Sequence, residues 1–427
     1  MLNRKQIFKL RQDHLGPSFS VSYREPLHIV KGEGQYLYDA HGKQYLDAVN
    51  NIQHVGHCHP KVVEAATRQY KKLNTNTRYL DEIIVNYARE LTNKLPERLD
   101  VCFFTNSGSE ANDLALRMAR NYTKSKETIV LDSAYHGNLS SLIEISPYKH
   151  NGPGGSGAPD FVHTIPMPDS YRGKYRGENS TDGYVNEVKK SVNEIHQKGD
   201  KVSAYIAESL MGCGGQLVLP EGFLKRSFEL VRNANGLCIA DEIQIGFGRM
   251  GSHYWGFETC DVVPDIVTMG KSMGNGHPLS VVVTTHEIAD AFNNGMEYFN
   301  SFGGNPVSCA VGQAVLNVIK EEGLQENALE VGGYLMEQLK SIDHELIGQV
   351  RGHGLFIGIE LVKDHDSLKP AGNEANTIVN KMKDAGILMS TDGPDNNVLK
   401  IKPPIIFSCE NADKLVFNLT SIFDTIY

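Results

Sequence analysis

The chain has 427 residues, of which 40% are hydrophobic and 22% charged, ordinary values for a globular protein with a large core. Its formal net charge of −9 supplies no basic field, so neither nucleic acid nor an anionic membrane is expected as a partner. Seven cysteines, never spaced C-x-x-C, argue against a disulfide scaffold or a zinc site and read as reduced, buried thiols.

Residues 1–16, MLNRKQIFKLRQDHLG, are charged throughout and lack the apolar run of a signal peptide. Asp13 and the shortage of serine speak against an organelle-targeting helix, and no stretch approaches the ~18 apolar residues of a membrane span. A cytoplasmic enzyme is expected. Residues 1–55 carry a hairpin pattern at 32–47 and are assigned, with residues 311–427, to a smaller α+β domain; residues 56–310 form the large domain. In that large domain the strand candidates are Val101–Phe104, Thr128–Leu131, Ala204–Glu208, Leu237–Asp241, Ile266–Met269 and Leu279–Thr284. Helical periods lie between them, as at Ser109–Tyr122 and Glu221–Ala234. This β-α alternation predicts an α/β fold with a mostly parallel sheet and a ligand at the carboxyl ends of its strands. Asn151–Pro159 reads as a mobile glycine-rich loop, and Tyr171–Arg176 (YRGKYR) as a solvated basic run. The C-terminal part shows two amphipathic helices, one strand pattern at Arg351–Val362 and a closing helix.

Three segments carry candidate chemistry. At Phe103–Asn112 a strand runs into small residues and a helix begins, so free amides, the helix dipole and the hydroxyls of Ser107 and Ser109 make an anion site. A plain helix cap explains the same residues equally well. At Gly236–Gly251 an apolar strand ends on Asp241, which can pair with a cationic nitrogen; helix capping is the plainer role. At Asp265–Gly276 Lys271 follows a strand and is hemmed by glycines, which suits a desolvated nucleophile for a carbonyl; a solvated loop lysine is the commoner case. Asp241 and Lys271 are 30 residues apart, about one β-α unit, so they fall on neighbouring strand ends. An anion site, a carboxylate for a ring nitrogen and an imine-forming lysine are together what pyridoxal phosphate requires.

SGSEAN (Ser107–Asn112), YHG (Tyr135–Gly137), DEIQIGFGRMG (Asp241–Gly251), MGKSMGNG (Met269–Gly276) and FGGNP (Phe302–Pro306) resemble the class III branch of the fold-type I pyridoxal-phosphate enzymes. The match runs in order from about Gly32 to Phe407. It implies a seven-stranded, mostly parallel sheet in the large domain, with pyridoxal 5′-phosphate bound there. Lys271 then resembles the Schiff-base lysine and proton shuttle, and Asp241 the partner of the ring nitrogen. Ser107, Gly108 and Ser109 hold the cofactor phosphate, Tyr135 or His136 stacks on the ring, Gln244 approaches its 3′-oxygen, and Glu208 orients this network. Ser301 occupies the place of a family threonine that reaches the phosphate of the partner subunit, which implies a homodimer with shared sites that can pair into a tetramer.

Class III aminotransferases carry a glutamate and an arginine that together manage the substrate carboxylate. Here Cys213 takes the glutamate's place and Lys400 the arginine's, and lysine lacks the bidentate fork that suits a carboxylate. Losing both halves argues against ordinary transamination. NNIQHVGHCHP (Asn50–Pro60), LNTNTRYL (Leu73–Leu80), PDSYRGKYR (Pro168–Arg176), STDGP (Ser390–Pro394) and LKIKPP (Leu399–Pro404) are similar to the ethanolamine-phosphate and 5-phosphohydroxylysine phospho-lyases. That resemblance implies a carbon–oxygen lyase that takes O-phosphoethanolamine to acetaldehyde, ammonia and phosphate. The alternatives are 5-phosphohydroxylysine as substrate, or an alanine–glyoxylate or ω-amine aminotransferase. Intact Lys271 and Asp241 count against a non-enzymatic role. Lys400, Lys402, Arg24 and Arg172 are the candidate ligands of the substrate phosphate. His54, His57 and His59 lack nearby carboxylates and make a poor metal set, so no metal is expected. Arg351 is expected to brace a strand turn and Trp255 to pack.

Overall fold

The structure, a computed structural model, describes residues 2–426. At its centre lies a seven-stranded sheet in the order Val101–Thr105, Ser280–Thr284, Ile266–Met269, Leu237–Asp241, Val202–Glu208, Glu127–Leu131 and Val162–Ile165. Only Ser280–Thr284 runs against its neighbours; the other strands are mutually parallel. The central strands Val202–Glu208 and Leu237–Asp241 are buried at every position, as strands covered on both faces must be. Their side chains alternate between two cores: Ala204, Ile206 and Ile239 pack with helix Gly108–Thr123, whereas Tyr205, Ala207, Cys238 and Ala240 join the larger cluster under helices Ser180–Gln197 and Phe223–Asn233.

The α/β expectation holds, with strand ends shifted by a residue or two. The edge strand Val162–Ile165 was not anticipated. It is four residues long, and its polar His163 and Thr164 break the apolar run by which the buried strands are recognised.

Around Arg351–Val362 the single strand expected is instead a hairpin of Ile347–His353 and Phe356–Leu361. Gly354 makes its turn at φ +53°, where an added Cβ would meet the Arg249 carbonyl oxygen at 2.4 Å. That hairpin continues into Val398–Ile401 and Ser390–Asp392. The N-terminal strands Ile29–Glu33, Tyr36–Asp39 and Gln44–Asp47 form a meander whose last strand pairs with Ile387–Leu388, so the two ends of the chain share one sheet. The division expected at residue 310 falls inside the continuous helix Pro306–Glu321, which packs on Pro60–Lys72 and Glu82–Thr92. All seven cysteines are free thiols, but Cys58 and Cys409 are exposed rather than buried.

Candidate active site

The carboxyl edge of the sheet sets the site. Register pairing places Glu208, Asp241 and Thr268 side by side at the ends of three adjacent parallel strands. Strand Val101–Thr105 leads into Ser107, whose hydroxyl accepts from the Glu110 amide and caps helix Gly108–Thr123. Lys271 follows strand Ile266–Met269 with φ +37°, a left-handed conformation that non-glycine residues adopt at a cost and that packing must enforce. Ser107, Glu208, Asp241 and Lys271 line a cavity of about 520 Å³ together with Asn106, Tyr135, His136, Gly137, Ile243 and Gln244, and with residues 276–280.

Asp241 is the most heavily supported group. Its Oδ2 accepts from Asn112 Nδ2 (2.8 Å) and lies 2.8 Å from His136 Nδ1, while Oδ1 accepts from the Ile243 amide (3.1 Å). Asn112 also donates to the His136 carbonyl (2.7 Å), and its own carbonyl accepts from Thr268 Oγ1 (2.6 Å). The carboxylate is therefore held in one orientation from behind.

Burial holds the Lys271 amine below its ordinary range; Lys400 adds to the effect, while Asp241, Cys213 and Glu208 oppose it. Burial and then the Asp241 charge push Glu208 up. Its Oε2 accepts from the Gly212 amide (2.9 Å), and its buried Oε1 has no partner among the described residues.

These residues fit pyridoxal phosphate. The cavity joins a desolvated amine, an oriented carboxylate and the amides of a capped helix start. Glu208 Oε1 and Ser280 Oγ, both on cavity-lining residues, are buried polar atoms left without partners, as atoms awaiting a polar group are.

The class-III aminotransferase family model matches residues 18–423. The chain belongs to that family. Pyridoxal 5′-phosphate is its cofactor. It is 52% identical over 425 residues to alanine–glyoxylate aminotransferase 2-like of Drosophila melanogaster, covering 97% of this chain and 86% of the other. It is 43% identical to ethanolamine-phosphate phospho-lyase homolog 1 of Caenorhabditis elegans, covering 98% and 93%. Among solved structures it superposes on a phospholyase from Arthrobacter in complex with phosphoethanolamine, with a TM-score of 0.94, 39% identity and coverage of 99% and 100%.

The cavity brings together Ser107, Gly108, Ser109, Tyr135, His136, Glu208, Asp241, Gln244 and Lys271. Of the two residues considered for ring stacking, His136 places Nδ1 on Asp241 and leaves its buried Nε2 without a partner among the described residues, while Tyr135 is a half-buried ring on the cavity wall. Ser301 is exposed and outside the lining of its own chain's cavity.

The four cations proposed for the substrate phosphate are not equivalent. Lys400 lines a neighbouring cavity of about 560 Å³ with Asn50, Asn51 and Ser390, and its Nζ lies 3.3 Å from Asp392. Lys402 is fully buried and donates to Gln244 Oε1 at 3.1 Å. Arg172 is spent on Glu360 (2.6 Å) and Asp395 (2.7 Å) and lines neither cavity, while Lys174 and Arg176 of the same run stay exposed. Arg24 is exposed and bonded to Asn376 and Asn380, lining neither cavity.

Cys213 sits beside this group, and burial pushes its thiol up to about 12, so a neutral group stands where the family glutamate would. Its loop is clamped by the C-terminal lobe. The Gly393 amide donates to the Cys213 carbonyl, Arg351 donates twice to the Gly215 carbonyl, and Gln216 Nε2 donates to Asp392.

His54 Nε2 is bonded to the Phe247 carbonyl and His57 Nε2 to Asp47. Sequence reasoning missed Asn112 and Asp392. The signal for Asn112 was a polar residue in the apolar stripe of Ala111, Leu114 and Ala115; Asp392 had none.

Proposed function

We propose that this chain is a phospho-lyase acting on O-phosphoethanolamine and releasing acetaldehyde, ammonia and phosphate. The observation that carries the reading is the pair of substitutions at the substrate end. A neutral, clamped Cys213 and a point-charge Lys400 replace the switchable glutamate and the carboxylate fork of an aminotransferase. The phosphoethanolamine complex of the Arthrobacter relative supports it as well.

Pyridoxal phosphate, when bound, supplies an electron sink conjugated to the carbon that bears the substrate amine. Lys271 takes the proton from that carbon, its depressed pKa favouring the free amine that a base must be. Asp241, fixed by Asn112, His136 and the Ile243 amide, presents a carboxylate to the ring nitrogen. Lys400 leaves Asp392 to meet and hold the substrate phosphate. The enamine released takes up water outside the protein's machinery, giving acetaldehyde and ammonia.

The exposed Ser301, away from its own cavity, supports a homodimer in which it reaches the partner's site. Cytoplasmic residence is proposed on the charged N-terminal segment; co-purification of the tagged protein with mitochondria would overturn it.

The test is phosphate and acetaldehyde release by purified holoprotein from O-phosphoethanolamine, with 5-phosphohydroxylysine and alanine plus glyoxylate in parallel. Release from O-phosphoethanolamine alone supports the reading, and release from 5-phosphohydroxylysine alone reassigns the substrate. Amino transfer to glyoxylate without phosphate release would sink the lyase, and the Drosophila relative's name makes that arm necessary. Lys271→Ala is expected to lower the rate by about a thousandfold or more.

A further inference from the structure

Lys402 lies two residues beyond Lys400, on the same side of an extended segment, but deeper. Its ammonium sits 4.2 Å from the centroid of the Phe356 ring and, among the described residues, forms no ion pair. Its one hydrogen bond goes to Gln244 Oε1, which also accepts from Asn51 Nδ2 at 3.4 Å. On its other end Gln244 directs Nε2 at Glu208 Oε2, 3.5 Å away. One cavity-lining amide therefore bridges a buried cation and a buried carboxylate.

We propose that Lys402 is a positioning residue for the cofactor site: its ammonium fixes which way the Gln244 amide faces, and it does not touch the substrate phosphate. An ammonium has three donors and no acceptor, so it bonds the carbonyl end of an amide and repels the NH₂ end. Turning the Gln244 amide over would set Nε2 against two donors, Lys402 and Asn51, and Oε1 against the Glu208 carboxylate. With Lys402 in place the NH₂ end stays toward Glu208 and the cavity. Without it, only the long contacts to Asn51 and Glu208 hold the amide.

A buried ammonium lacking a carboxylate partner is costly, and an apolar side chain of similar volume is often tolerated or preferred for stability. Its presence here points to orientation rather than to folding. Burial first, and the charge of Lys400 next, push Lys402 down to about 7 against the opposing pull of Asp392, Cys213 and Glu208. A group that is both this desolvated and this short of anions is ill-placed to be a free ligand for a substrate dianion.

The measurement uses the unreacted holoprotein, so it stands or falls independently of whether elimination or amino transfer is the reaction. The pH midpoint of the bound cofactor's absorbance change is recorded for wild type, Lys402→Met, Gln244→Leu and the double variant, and inorganic phosphate is titrated into each. Without its orienting ammonium the Gln244 amide is free to turn, so Lys402→Met is expected to shift the midpoint by about one pH unit in the direction in which Gln244→Leu shifts it. Phosphate affinity should stay within about twofold of wild type, and the double variant should match Gln244→Leu within about 0.3 pH units.

An unmoved midpoint with phosphate binding weakened about tenfold would make Lys402 a ligand and overturn the proposal, as would no change in either quantity. Additive shifts in the double variant would overturn it too. Should Lys402→Met purify without cofactor, Gln244→Leu decides: a wild-type midpoint in that variant would show that the amide transmits nothing.

Discussion

The floor of the cavity and the cationic rim of the neighbouring cavity differ in how they are held. Asp241 on the floor is fixed by donors from a helix, a loop and its own strand end, all in the large α/β unit. Lys400 on the rim faces one neighbour, Asp392, at 3.3 Å, on a strand of the C-terminal lobe. The floor is built to stay still and the rim to exchange partners. Chemistry common to a whole family can rest on the first, whereas substrate choice belongs to the second.

The largest effect after loss of the lysine is expected from breaking the floor where nothing touches substrate. Asn112→Leu keeps the volume but strips Asp241 of one donor and leaves Thr268 Oγ1 without its acceptor. Hydrogen bonds to charged groups are worth about 1.5–3 kcal/mol, so kcat/KM should fall by about 10- to 100-fold. Steady-state kinetics on O-phosphoethanolamine, with cofactor affinity measured beside it, checks this. An unchanged kcat/KM would mean that His136 and the Ile243 amide alone suffice to aim the carboxylate.

At the rim, Lys400→Met should act on binding alone. A charge-assisted contact worth about 1.5–2 kcal/mol predicts a KM for O-phosphoethanolamine raised by about 10- to 30-fold, with cofactor affinity unaffected. If kcat falls as far as KM rises, Lys400 belongs with the floor and the comparison breaks.

The two regions also differ in how far the sequence announced them. Glu208 and Asp241 sit at the ends of their own strands and Ser107 at the start of its own helix, so their places follow from local pattern: Asp241 closes an all-apolar run, and Ser107 precedes a helix. Lys271 is legible for the same reason, being two residues past Met269. The rim cations carry no such mark. Arg172 meets Glu360 across 188 residues and Asp395 across 223, pairings that no spacing rule contains. Lys402 looked like a second phosphate ligand because it sits two residues from Lys400, and only the fold shows that it is sealed behind Gln244. The hairpin at Gly354 reads as one strand because only its second arm, Phe356–Leu361, is strongly apolar and its turn is only two residues long.

Outside the lining of both cavities, His54 and Arg249 join three segments. Arg249, fully buried, donates to the Leu355 and Pro403 carbonyls and lies 3.3 Å from His54 Nδ1; His54 Nε2 reaches the Phe247 carbonyl at 2.7 Å. Burial, and then the charge of Arg249, push His54 down to about 3. Between that value and its ordinary 6.5 only the unfolded chain takes up the proton, so stability is lost as the pH falls through this window. By pH 5 the loss from this residue is about 2 kcal/mol. Thermal midpoints of wild type and His54→Gln, taken from pH 7 to pH 5, should converge on acidification, because glutamine keeps a donor and an acceptor without titrating. Parallel curves would assign the acid sensitivity elsewhere.

The smallest kinetic effect is expected at Arg172, and it tests the rim from the other side. Both arms of its guanidinium are committed, Nε to Glu360 and Nη2 to Asp395, and Glu360 is 1% exposed. Glu360 keeps Arg351 and Asn397 when Arg172 is removed, so the carboxylate is not abandoned in the interior. Arg172→Met should therefore cost about 1–3 kcal/mol of stability while leaving KM for O-phosphoethanolamine within about twofold of wild type. A KM raised about tenfold with an unchanged thermal midpoint would reverse this assignment. The guanidinium would then have to leave its two carboxylates for the substrate, and the division between structural and exchangeable cations would run through Arg172 rather than between it and Lys400.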